Sequence, residues 1–131
     1  MRAATETTKP MKDPQFRFEK MEIWQRGAAI SGPLFRLADD LETRHLFRFA
    51  EQMRSAVLSI TNNIAEGSGS TSDAEFAHFL NIARRSVFEV ANMLMLFARE
   101  GVCTRADVVA HLEELGEQSR MLLSFRRALK V

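Results

Sequence analysis

The chain has 131 residues, 46% of them apolar and 27% charged, a balance that suits one globular domain with a buried core and excludes a disordered tail. Eighteen Lys and Arg against seventeen Asp and Glu leave a formal charge of +1, which excludes a protein that coats nucleic acid by bulk charge alone. Six Gly, three Pro and no Tyr, among many Leu, Ala, Met, Arg and Glu, disfavour an all-β fold and favour helices.

Residues 1–15, rich in Thr, Lys and Pro, read as a flexible N-terminal arm. Residues 16–131 read as an all-α domain, an antiparallel up-and-down four-helix bundle. From Phe18 to Leu41 an apolar set (Met21, Trp24, Ala28, Leu34, Leu37, Ala38 and Leu41) recurs at helical spacing. Gly32-Pro33 predicts a kink or break near Ile30, because Pro33 has no amide to offer Ala29 and its ring crowds that carbonyl. A second helix is expected from Thr43 to Glu66, with a core stripe running from Leu46 and Phe49 through Met53, Val57 and Ile60 to Ile64, and with Gly67 as its C-terminal stop. Ser72 with Glu75 three residues on predicts a capping box that starts a third helix, which runs to Glu100 and ends at Gly101. Thr104 with Asp107 launches a fourth, carrying Val108, Leu112, Leu115, Leu122, Phe125 and Leu129.

Cys103 is the single cysteine and cannot close an intrachain disulfide, and residues 1–20 hold no apolar run of the signal-peptide kind. A reducing cytoplasm is therefore the expected setting. The longest apolar stretch, Val90 to Ala98, is nine residues and contains Asn92, far short of the roughly 20 that a membrane-spanning helix needs.

Two helices carry more apolar surface than one bundle uses. At 100° per residue, Phe88, Met95 and Leu96 point away from the core stripe of the third helix, while Phe47, Leu58 and Ala65 form a line beside Arg54 on the second. Contiguous exposed apolar surface marks an interface. Self-association through Phe47, Leu58, Phe88, Met95 and Leu96 is expected; the rival is an N-terminal segment folded over one patch.

The segments Phe18-Glu19-Lys20-Met21-Glu22-Ile23-Trp24-Gln25, Gln52-Met53-Arg54-Ser55-Ala56-Val57-Leu58-Ser59-Ile60 and Asn63-Ile64-Ala65-Glu66-Gly67-Ser68-Gly69, followed by Glu75-Phe76, Phe79-Leu80 and Ile82-Ala83, resemble the four-helix-bundle proteins encoded in intervening sequences of bacterial 23S ribosomal RNA genes. The resemblance spans Phe18 to Gly101, and its specific part is the Ser-Ile-x-x-Asn-Ile-Ala-Glu-Gly run. It implies a cytosolic homopentamer with no established enzymatic activity. A more distant fold resemblance is to the basic accessory protein of diversity-generating retroelements, from which this nearly neutral chain differs in charge.

Within that run, Ser59, Asn63, Glu66 and Gly67 form a candidate structural motif. Glu66 lies in the last turn of a helix, where a carboxylate is disfavoured by about 0.3–1 kcal/mol, so Asn63 and Glu66 are expected to cap amides at the start of the third helix or to bond an arginine. Glu42-x-x-His45 and Glu75-x-x-His78 match the spacing of di-iron bundles. Placed near the starts of two antiparallel helices, however, the pairs stand roughly 30 Å apart at 1.5 Å per residue. Cys103 and His111 lack further ligands at zinc spacing. Arg105 with His111 loosely resembles the Arg/His element of HEPN-type ribonucleases, yet the two sit about 240° apart on one helix. Residues 67–72 lack the lysine of a phosphate-binding loop. No catalytic residue, metal or cofactor is assigned. The remaining candidates are cations for RNA or DNA: Arg44 and Arg48, Arg84 and Arg85, and Arg120, Arg126, Arg127 and Lys130. Repeated around a ring, these present many phosphate contacts, although no aromatic platform lies among them for reading single strands.

Overall fold

The protein is described here by a computed structural model covering residues 15–131; the arm expected over residues 1–15 lies outside the described residues apart from Gln15. A 3-10 turn, Arg17–Lys20, precedes four helices: α1 Glu22–Thr43, α2 Phe47–Ser68, α3 Asp73–Arg99 and α4 Arg105–Ala128. There is no strand among the described residues. Each helix packs on the next, and α4 returns against α1. Cross-helix pairs give the directions. Arg54 on α2 meets Asp39 on α1, while Thr61 lies against Gly27. Phe49 at the start of α2 meets Phe97 at the end of α3, and Arg126 near the end of α4 donates to the carbonyl of Ala77 near the start of α3. Gln118 of α4 donates to the carbonyl of Ile23 in the first turn of α1. All four neighbouring pairs are therefore antiparallel, the up-and-down order that connections of three to five residues impose.

One core runs through the four helices. Leu34, Leu41, Met53, Ile60, Ile64, Phe76, Leu80, Leu94, Leu115 and Leu122 are its largest fully buried apolar side chains. Nearly every residue assigned to a core stripe from spacing alone is buried or half-buried. Ala28, which is exposed, and Phe49, at 40% exposure, depart from this; Phe49 sits in the first turn of α2, against the Phe97 ring.

The caps explain most helix boundaries. Ser72 Oγ accepts from the Glu75 amide at 3.2 Å, and Thr104 Oγ1 accepts from the Asp107 amide at 3.1 Å, so α3 and α4 begin where the sequence places them. At the end of α3 the Val102 amide bonds the Phe97 carbonyl and the Gly101 amide bonds the Ala98 carbonyl, with Gly101 at φ 76°. This is a Schellman closure, and it needs a left-handed residue. Gly101→Ala should lower stability by about 1 kcal/mol, read as the shift of a urea midpoint at fixed protein concentration.

Three boundaries differ from expectation. The second helix starts at Phe47 rather than Thr43, because α1 continues to Thr43 and closes with the same motif. The Leu46 amide bonds the Leu41 carbonyl, the His45 amide bonds the Glu42 carbonyl, and His45 takes φ 64°, a conformation in which His is enriched among non-glycine residues. The break near Ile30 does not occur. Ile30 and Leu34 are buried on either side of Gly32-Pro33, so core packing holds the helix continuous. The carbonyl that Pro33 leaves without its helical partner belongs to Ala29, an exposed residue, so the missing bond does not leave a polar group in the core. Finally, Gly67 is not a stop: α2 runs through it to Ser68. A Cβ on Gly67 would stand 2.7 Å from Phe79 Cβ and 2.8 Å from the Phe76 ring, so the glycine is there to let α2 and α3 approach.

Candidate interaction surfaces

The seam between α2 and α3 carries the family-like run. Asn63 Nδ2 donates to the Ser59 carbonyl at 2.7 Å and to Ser59 Oγ at 3.0 Å. Ser59 Oγ pairs with Ser86 Oγ at 2.8 Å. The expectation that Asn63 caps the amides of α3 is thus corrected: helical spacing turns Asn63 onto Ser59 one turn earlier, half-way along the seam. Glu66 is exposed and, among the described residues, makes no hydrogen bond or ion pair with its side chain, so the expected arginine or amide partner is not there. Ser59, Asn63 and Gly67 together form a packing motif that ties two helices, and Ser86 completes it.

The five residues predicted to lie at an interface are all exposed: Phe47, Phe88 and Met95 to 58%, Leu58 to 49% and Leu96 to 46%. They do not form one patch. Phe47 and Leu58 share the flank of α2 that faces α1, the flank on which Arg54 bonds Asp39 and Glu42 at 2.7 Å each. Phe88 and Met95 line a groove of about 470 Å³ between α3 and α4, completed by Leu112, Gly116, Ser119 and Arg120 among others. Leu96 stands about 100° on from Met95, outside that groove. A second groove, of about 500 Å³, is polar and lies over α2 and α3 between Arg48, Glu51, Gln52, Ser55 and Glu89.

Four of the eight cations proposed for nucleic acid are already engaged. Arg44 donates to the Val102 carbonyl at 2.7 Å and pairs with Asp40. Arg84 donates to Ser119 Oγ at 3.1 Å, with its guanidinium 5.0 Å above the Phe88 ring. Arg120 bonds Glu117 at 2.9 Å, and Arg126 bonds the Ala77 carbonyl at 3.3 Å. Arg48 lines the polar groove together with Glu51 and Glu89. Arg85, Arg127 and Lys130 are exposed but spread from the middle of α3 to the end of α4. The eight cations therefore form no single basic patch, because their helix positions send them to different faces.

The other candidates disperse as well. Glu42 lies on α1 bonded to Arg54, whereas His45 lies in the connection that follows; Glu75 belongs to the turn capped by Ser72. No group of three or more His, Cys, Asp and Glu side chains converges for a metal among the described residues. Burial raises the pKa of the Cys103 thiol, against a smaller opposing pull from Arg44, which disfavours the thiolate that nucleophilic chemistry needs. The hydrogen bond from Arg120, reinforced by its charge, lowers the pKa of the Glu117 carboxyl. Sequence reasoning missed Gln118, which is fully buried and reaches the Ile23 carbonyl at 2.9 Å. Its signal is a polar residue inside the Leu115–Leu122 stripe.

Four antiparallel helices around one core, with apolar side chains left exposed on the surface, define an up-and-down helical bundle. The chain matches the family model described as 23S rRNA-intervening sequence protein over residues 19–124, and it belongs to that family. The match extends past Gly101 into α4, further than the sequence resemblance. The chain is also similar to the crystal structure of a protein with unknown function from the S23 ribosomal protein family from Bacteroides thetaiotaomicron. The two are 23% identical with a TM-score of 0.77, over 81% of this chain and 99% of that one, a likeness that shows the fold. No curated protein matches the chain. No described helix is long and apolar enough to cross a membrane.

Proposed function

We propose that this protein is a non-enzymatic, cytoplasmic, self-assembling module that acts as a scaffold or binding unit, with five copies as the assembly its family resemblance implies. The observation that carries the reading is the exposure of Phe47, Leu58, Phe88, Met95 and Leu96 on a chain whose core is otherwise complete. Apolar side chains grouped on a folded surface favour burial at about 25 cal/mol per Å² removed from water. The nucleic-acid reading has less support, since the guanidinium groups of Arg44, Arg84, Arg120 and Arg126 are spent within the chain.

Light scattering coupled to size exclusion tests this. The expected mass at micromolar concentration is a multiple of the 14.9 kDa chain, little changed by salt because burial of apolar surface rather than ion pairing holds it. A monomer under those conditions would sink the proposal.

A further inference from the structure

Three of the four neighbouring helix pairs are joined by a short connection. The first and last helices, α1 and α4, are not, and they approach each other closely at far fewer places than any other neighbouring pair. We infer that the bundle opens along this seam: α4 parts from α1 while α1 stays on α2 and α4 on α3, so that the core becomes reachable from one side without global unfolding. The inference stands apart from the self-assembly reading.

The side chains across the four seams differ in kind. Arg54 clamps α2 to α1 by bonding Asp39 and Glu42 at 2.7 Å each. Ser59 and Ser86 tie α2 to α3 at 2.8 Å, and the same two helices meet at Gly67 too closely for a Cβ. Between α3 and α4 the Phe76 and Phe125 rings stand 5.5 Å apart, and two arginine bonds cross, Arg84 to Ser119 and Arg126 to the Ala77 carbonyl. Across α1 and α4, among the described residues, the polar ties are the bond from Gln118 Nε2 to the Ile23 carbonyl at 2.9 Å and the ion pair of Arg26 with Glu114 at 3.5 Å. That pair is long, and the Glu114 side chain is 56% exposed, so it adds little.

This seam also holds polar groups that its packing leaves unsatisfied. Gln118 is fully buried, yet its Oε1 has no hydrogen-bond partner, and neither has the buried Nε of Arg26. Turning the amide over would not help, because Oε1 would then face the Ile23 carbonyl, acceptor against acceptor. Gly27 gives the amide its room, since a Cβ there would stand 3.3 Å from Gln118 Nε2. A buried acceptor without a partner penalises the closed seam and regains its hydrogen bond once water reaches it. The Ile23 carbonyl loses nothing essential on parting, for the Gly27 amide of its own helix still bonds it. Opening therefore gives up the apolar contacts of one seam and relieves two buried polar atoms, which makes it less costly than unfolding the chain.

Thiol labelling tests this in the full chain carrying Cys103→Ser, so that one introduced cysteine reports. Ile30 lies one turn after Arg26 on the same side of α1 and is 6% exposed, while Ser86 on the α2–α3 seam is 7% exposed. Under native conditions Ile30→Cys should react about tenfold or more faster than Ser86→Cys, because local opening reaches the first and only larger unfolding the second. Ser86→Cys gives up its bond to Ser59, which works against that difference. Ile23→Cys, at a position 3% exposed, is the second probe should Ile30→Cys disturb the far-UV circular dichroism. Adding Gln118→Met, which fills the same space without the amide, should slow labelling at position 30 and bring the two rates together. Equal rates at positions 30 and 86 in the parent chain would overturn the opening; a gap that Gln118→Met leaves unchanged would overturn its assignment to the buried amide.

Discussion

Gly67→Ala should destabilise the protein by about 2 kcal/mol even though alanine is the better helix former. Inside α2 the exchange gains about 1 kcal/mol of helix propensity. Against that, the new methyl falls 2.7 Å from Phe79 Cβ and 2.8 Å from the Phe76 ring. Phe79 Cβ is fixed to its backbone and cannot rotate aside, so α2 and α3 must separate at their shared end. Overpacking of this kind typically costs about 1–3 kcal/mol, and a site where the obstacle cannot move belongs at or beyond the upper limit. Urea unfolding at matched protein concentration measures the difference, since assembly makes apparent stability depend on concentration. A variant as stable as the wild type would mean that the two helices do not approach this closely.

Phe76→Ala should cost more, about 3–5 kcal/mol, the range of large aromatic truncations in a packed core. The ring is 1% exposed, lies in the recess beside Gly67, meets the Phe125 ring at 5.5 Å and carries the Arg17 guanidinium 5.0 Å above it. Arg17 also donates to the Ser68 carbonyl at 3.4 Å, so loss of the ring loosens the 3-10 turn together with the end of the hairpin. The double variant should lose less than the two single losses added, because removal of the ring vacates one of the places the new methyl occupies. Phe79 Cβ remains, so the rescue is partial. Coupling of about 0.5–3 kcal/mol is typical of residues in contact, and strict additivity would show that Phe76 does not press on Gly67.

Much of this architecture follows from local chemistry. Ser72 and Thr104 begin helices because a short hydroxyl side chain satisfies a free amide two or three residues on, and Gly101 ends one because a left-handed residue closes a Schellman motif. Val57, Ile60, Ile64, Leu115 and Leu122 are buried where their spacing puts them, since a helix with one apolar stripe has one way to face a core. The surplus of Phe47, Leu58, Phe88, Met95 and Leu96 is legible on the same grounds. Gly67 reads wrongly from sequence because a glycine that stops a helix and a glycine that admits a neighbouring helix are the same letter. The Pro33 break reads wrongly because core contacts on both sides outweigh one missing hydrogen bond, and the start of α2 because a histidine at positive φ leaves no sequence mark.

By itself the sequence determined the helix count, the caps of α3 and α4, the core stripes and the presence of apolar surface beyond what one core consumes; each depends on spacing along a single helix, which the chain carries locally. Only the tertiary structure decided that this surplus is divided between the α1–α2 flank and the α3–α4 groove, with Leu96 apart from both, that Arg44, Arg84 and Arg126 are spent on carbonyls and a hydroxyl of other segments, and that Gly67 is a point of close approach. These depend on distances between helices, which are set when four stripes pack against one another.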